Sequence, residues 1–126
     1  MKTINTSNAP KAIGPYSQGV DYNQLIFTSG QIPLDPKTNK LIKNNFKQEL
    51  KQVLNNLDAI LIKGGSSLKN VIKLTVFLTD LSNFSELNEV FNLYFKDFQP
   101  ARSAVQVAAL PLGANIEIEA IAGKNN

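Results

Sequence analysis

The chain has no cysteine and no histidine. The first absence removes disulfides, a thiolate nucleophile and sulfur-ligated metals. The second removes an imidazole base, a Ser-His-Asp triad and His-ligated zinc. Chemistry is left to carboxylates, hydroxyls, lysine, arginine, backbone amides and water. Arginine is scarce as well: among 13 Lys and Arg residues, Arg102 is the single arginine. In an Asn-, Lys- and Ile-rich sequence that uses lysine wherever a plain positive charge serves, a lone guanidinium suggests a task for planar, bidentate geometry. Chance retention on a solvated face is the bland alternative. No apolar run approaches the ~20 residues that a membrane span needs. The first residues, MKTINTSNAPKAIG, carry neither an apolar h-region nor an Arg-rich amphipathic stretch, so a cytoplasmic location is expected. The lysines are spread from Lys2 to Lys124 without a basic cluster, which argues against nucleic acid as a partner.

What is present is enough for one small core. The chain has 126 residues, 43% of them hydrophobic, with no internal repeat or linker, so one domain over residues 1–126 is expected. Tyr16–Tyr22 reads as a weak first strand and Leu25–Gln31 as a stronger one, followed by a turn-rich Pro33–Lys40. Phe46, Leu50, Val53, Leu54, Leu57, Ile60 and Leu61 recur at helical spacing, and Gly64 and Gly65 supply a stop. A helix is therefore predicted over Asn45–Lys63. Asn70–Thr79 alternates as a strand, with Ile72, Leu74, Val76 and Leu78 on one face. Asn83 and Glu86 form a plausible capping pair for a second helix that carries Phe84, Leu87, Val90, Phe91, Tyr94 and Phe95. Arg102–Ala109 and Asn115–Ala122, joined by LPLG, are the last strands. The order β-β-α-β-α-β-β predicts an α+β layer with two helices on one face of a sheet.

The other face is the informative one. Alternation pairs Val105 with Val107, and Ile116 with Ile118, and assigns both pairs to the helices. Arg102, Ala104 and Gln106 then point the opposite way, as do Glu117, Glu119 and Ile121. That face mixes Phe77, Ile121 and Ala104 with Thr75, Glu117, Glu119 and Arg102. It is too apolar for a plain solvated face and too charged for a core, and it suits a subunit interface holding polar sites. An ordinary exposed face with scattered apolar residues is the alternative. If the last two strands pair as a hairpin with Ala109 opposite Asn115, Arg102 and Glu117 stand about 17 Å apart, too far to share one small substrate. Either the strands pair otherwise, or the site is drawn from more than one subunit.

Several segments together carry a resemblance. Pro100–Ala122 reads PARSAVQVAALPLGANIEIEAIA; AIGPYSQ spans Ala12–Gln18; SGQIPLDP spans Ser29–Pro36; VFLTDL spans Val76–Leu81; Asn88-Glu89-Val90 follows. From Ala9 to Ala122 the chain resembles the RidA (YjgF, RutC-like) family. The resemblance implies a chorismate-mutase-like layer on a mixed sheet, a homotrimer whose sheets form a barrel, and active sites between subunits. It implies hydrolysis of 2-iminopropanoate and 2-iminobutanoate to 2-oxo acids and ammonia, with no metal or organic cofactor. Arg102 matches the family's arginine for the substrate carboxylate, and Glu117 the glutamate that activates water. Tyr16, Ser29 and Gly30 match residues of the pocket, and Phe84 and Asn88 residues of its rim. Ala104 stands where many relatives have cysteine, which excludes a thiol-dependent step here.

The chemistry fits these residue types. An imino acid offers a carboxylate for Arg102, an electrophilic C=N carbon, and a nitrogen that leaves as ammonia. A partly buried Glu117 can take a proton from water and return it to that nitrogen. Each residue also has a plainer reading. Glu119 suits an interface ion pair, Tyr16 a packed aromatic, Ser29 turn chemistry and Phe84 a helix anchor. The alternative functions are an endoribonuclease or translation inhibitor, for which there is no His and the only Arg is better used on a carboxylate, and a non-catalytic ligand-binding trimer.

Overall fold

The computed structural model describes residues 1–125. Its elements are strands β1 (Lys2–Ile4), β2 (Gly19–Tyr22) and β3 (Leu25–Thr28), helix α1 (Phe46–Lys63), strand β4 (Val71–Leu78), helix α2 (Phe84–Tyr94), and strands β5 (Ala101–Gln106) and β6 (Ile116–Gly123). They form one six-stranded mixed sheet in the order β1-β2-β3-β6-β4-β5, with β4 and β5 parallel and the other pairs antiparallel. The strand β1 is an addition to the predicted order, because three residues are too few to show alternation. Tyr16 lies outside β2, and the first hairpin turns at Asn23, whose positive φ of 57° suits asparagine.

Helix α1 forms where its spacing predicts. Asn45 caps it by accepting from the Gln48 N–H at 3.0 Å, and all seven periodic apolar residues are buried. It stops at Gly64 for a packing reason: a Cβ there would stand 2.6 Å and 2.7 Å from the Cδ1 atoms of Ile4 and Ile26. Helix α2 begins differently from its predicted start. The Asn83 side chain makes no cap; a 3-10 turn over Leu81–Asn83 precedes the helix, and Asp80 caps that turn by accepting from the Ser82 N–H. The core lies between the helices and one sheet face. Leu74, Val76 and Leu78 of β4 and Ile116, Ile118 and Ala120 of β6 meet Leu50, Val53, Leu57, Leu87 and Val90 there.

Two predicted orientations, those of Ile72 and of β5, are corrected, and the pairing of the last two strands, left open by the sequence, is decided. Ile72 is exposed, because a bulge between Val71 and Lys73 breaks the alternation at that point. The last two strands do not form a hairpin: β6 inserts between β3 and β4, and β5 runs parallel to β4 at the edge. That register sets Arg102 beside Leu74, Ala104 beside Val76 and Gln106 beside Leu78, so all three face the helices. Val105, paired with Phe77, faces the open side and is 45% exposed. Reading the more apolar alternation as the core face fails on this edge strand, where the open face carries its own apolar residues.

Candidate active site

Glu117 stands in the middle of β6 on the open face, paired with Phe77. Its carboxylate lies across Gly30, just beyond β3. A Cβ at Gly30 would overlap Glu117 Oε2 and stand 2.8 Å from its Cδ, so only a glycine admits the acid in this position. The two residues line a cavity of about 100 Å³, with Tyr16, Gln31 and the apolar Ile13 and Leu112 among its walls. Partial burial, and then the like charge of Glu119 on the same face, push the Glu117 carboxyl above the usual carboxylate range. Among the described residues no lysine or arginine pairs with it.

Two tethers hold the cavity's outer loop. The buried Gln18 amide accepts from the Thr6 N–H and donates to the carbonyls of Thr6, Ala9 and Pro10. The Ser29 hydroxyl donates to the Ser17 carbonyl at 2.6 Å, one residue past Tyr16. Tyr16 itself is half exposed, its hydroxyl accepting a long hydrogen bond from the Ile13 N–H. On the inner side, the buried Asn56 of α1 donates to the carbonyls of Ile32 and Leu34 and steadies the strap after Gly30.

Arg102 occupies the other side of the sheet. Edge strand β5 aims it at α2, where Phe84, Asn88 and Phe91 share one face at i, i+4 and i+7 spacing. The guanidinium carbon lies 5.1 Å from the Phe84 ring centre and 5.3 Å from that of Phe91. Its NH1 donates to Asn88 Oδ1 at 2.9 Å. No carboxylate of the described residues forms an ion pair with it, and it opens on a recess of about 380 Å³ beside Asn92 and Gln99. An arginine oriented by two rings and an amide keeps its charge and its remaining donors for an anion from outside. Ala104, two residues along, packs against the core.

The candidate residues thus fall into two half-sites. Tyr16, Gly30 and Glu117 gather around one cavity; Phe84, Asn88 and Arg102 gather on the opposite side of the sheet. Ser29 stands behind the first half and Ala104 behind the second. Sequence reading passed over Gln31, Gln18 and Asn56, whose places depend on loop packing, and took Phe91 only as a core residue. The spacing of Phe84 and Phe91 around Asn88 was the available signal for the second ring. No cluster of three acidic side chains suited to a metal ion occurs among the described residues, and no helix is long and apolar enough to cross a membrane.

Comparison with known proteins gives the family. Residues 6–124 match the family model described as Endoribonuclease L-PSP. A RutC family protein of Pyrococcus horikoshii is 50% identical over 98% of both chains. The mouse protein named 2-iminobutanoate/2-iminopropanoate deaminase is 49% identical over 96% of this chain and 90% of its own. The crystal structure of RidA from the Antarctic bacterium Psychrobacter sp. PAMC 21119 superposes with a TM-score of 0.93 at 47% identity, covering 98% of this chain and 99% of that one. With a family model matched over residues 6–124 and relatives near 50% identical over nearly the whole chain, the chain belongs to the RidA/YjgF/RutC family.

Proposed function

We propose that the protein hydrolyses 2-imino acids such as 2-iminobutanoate and 2-iminopropanoate to 2-oxo acids and ammonia. The observation that carries this reading is the single arginine, held on two phenyl rings with no acidic partner, in a chain whose relatives at 49% identity include an enzyme named for this reaction. The two half-sites lie on opposite sides of one sheet. A complete site therefore joins the Glu117 cavity of one copy to the Arg102 recess of another, in a homotrimer packed through the open sheet face. Phe27, Phe77, Val105 and Ile121 give that face its apolar character.

In such a site Arg102 binds the substrate carboxylate through two parallel N–H donors. The imine carbon is then presented to a water beside Glu117. With the imine nitrogen protonated, Glu117 takes a proton from the water as its oxygen bonds to C2 and the C=N pair moves to nitrogen. It returns that proton to the nitrogen, which leaves as ammonia as the C–N bond breaks, and then takes up the remaining hydroxyl proton as the C=O bond forms. The raised affinity of Glu117 for its proton favours the first transfer, from the water. The experiment is direct. An L-amino acid oxidase with catalase generates the imine, and semicarbazide traps what remains. Wild-type protein should speed imine loss, and Arg102→Ala should not. A folded wild type that leaves imine untouched across several amino-acid precursors, but binds 2-oxo acids, is a binding protein instead. One that cleaves RNA in a manner lost with Arg102→Ala is a nuclease.

A further inference from the structure

A single exposed leucine needs no explanation, but Leu112 combines three features. It is 61% exposed, so it adds little to the core. Its backbone is left-handed, at φ 57° and ψ 18°, a conformation that glycine or asparagine adopts at less cost. It also lines the cavity of Glu117. The turn that carries it is held in place. The Gly113 N–H donates to the Leu110 carbonyl at 3.2 Å, and the Ala114 N–H to the Pro111 carbonyl at 3.1 Å. Ala114 is buried, and the Asn115 amide donates to the buried Glu49 carboxylate of α1 at 3.0 Å. An anchored turn that spends a leucine on a strained, exposed position gains no stability from it, and strain of this kind gathers at ligand sites. Ile13 walls the same cavity from the N-terminal loop, also largely exposed.

Three groups surround C2 of an imino acid: a carboxylate, a nitrogen and a side chain. Arg102 takes the first, and Glu117 serves the nitrogen and the water. The aliphatic walls are left for the third. We propose that Leu112 is a specificity-determining residue, which packs with Ile13 against the substrate's side chain and limits it to a short alkyl group. The proposal rests on the deaminase reading above. Size supports the limit. A cavity of about 150 Å³ is on the scale that takes up one benzene ring. The cavity beside Glu117 is smaller, at about 100 Å³, so an ethyl group fits and a benzyl group does not.

The test compares two imines, those made by L-amino acid oxidase from L-2-aminobutyrate and from L-phenylalanine. Wild-type kcat/KM should favour the ethyl-bearing imine by about 10-fold or more. Leu112→Gly should narrow that ratio by about 10-fold, raising KM for the ethyl substrate and admitting the ring. Leu112→Asn should narrow it as well by weakening the apolar contact. Its Tm should hold or rise, because asparagine tolerates the left-handed backbone, and this keeps the test open if the glycine variant folds poorly. A wild type that accepts both imines equally, or a ratio unmoved in both variants, would overturn the assignment. So would a Tm several degrees lower in Leu112→Asn, which marks a packing role. Loss of the assembly with the ratio unchanged would assign Leu112 to contact between copies instead. A wild type inactive on every precursor removes the deaminase reading itself, whereas an active one with an unmoved ratio removes only the role of Leu112.

Discussion

Glu117 sits on a sheet face beside a second carboxylate, and its stability and its chemistry pull in opposite directions. Burial and Glu119 hold its proton above the ordinary value of 4.5. The native chain therefore binds that proton more tightly than the unfolded chain does. Stability falls as pH rises from the ordinary value through the raised one, and the full cost is present above both. Glu117→Gln should accordingly raise Tm near neutral pH and leave it unchanged below the ordinary carboxylate value, in melts across a pH series. The same variant should lose imine hydrolysis by roughly 100-fold or more, the scale of a missing general base. In the wild type, the acid limb of the rate profile should lie above 4.5. Gly30→Ala should spare the fold, because the atom in the way ends a flexible side chain, but should lower kcat by about 10-fold by displacing that carboxylate. Arg102→Lys keeps the charge and loses the fork and the ring stacking. Steady-state assays should find it weaker by roughly 10- to 100-fold in kcat/KM.

At the scale of elements, α1 is the brace of the fold. Its buried stripe packs on the sheet, its Asn56 holds the strap behind Gly30, and its C-terminus closes on Ile4 and Ile26. Its start depends on the Asn45 cap. Asn45→Ala should cost about 1 kcal/mol, visible as a fall of several degrees in Tm with catalytic constants unchanged. Helix α2 contributes differently: about two turns of it present Phe84, Asn88 and Phe91 to Arg102, so the crossover that links parallel strands β4 and β5 also aims the arginine.

For the whole molecule, the decisive fact is that the half-sites lie on opposite sides of one sheet. If copies complete each other's sites, co-expressed Arg102→Ala and Glu117→Gln chains should form some sites with both native residues. Random mixing predicts about one quarter of wild-type activity from two nearly inactive parents, since each site takes one residue from each of two copies. Activity no greater than that of the separate parents in a mixed, purified assembly would show that Arg102 and Glu117 do not act in sites shared between copies.

Much of this was written in local pattern. The α1 stripe, the alternation of β4 after its bulge, the inward faces of Ile116 and Ile118, and the isolation of Arg102 all follow from spacing and composition, because helix and strand periods act over a few residues. The family segments likewise marked Arg102, Glu117, Gly30 and Asn88 before any contact was known. Strand order was not local. Insertion of β6 between β3 and β4 pairs residues far apart in sequence, and no turn signal distinguishes it from a hairpin. The orientation of β5 reversed for a related reason: on an edge strand whose open face is itself apolar, hydrophobic alternation does not identify the core, and only the register against β4 does. The sequence by itself thus determined the elements and the reactive residue types. Tertiary structure alone decided that Arg102 and Glu117 occupy separate half-sites, and that Glu117 stands across Gly30, because both depend on which distant backbone each side chain meets.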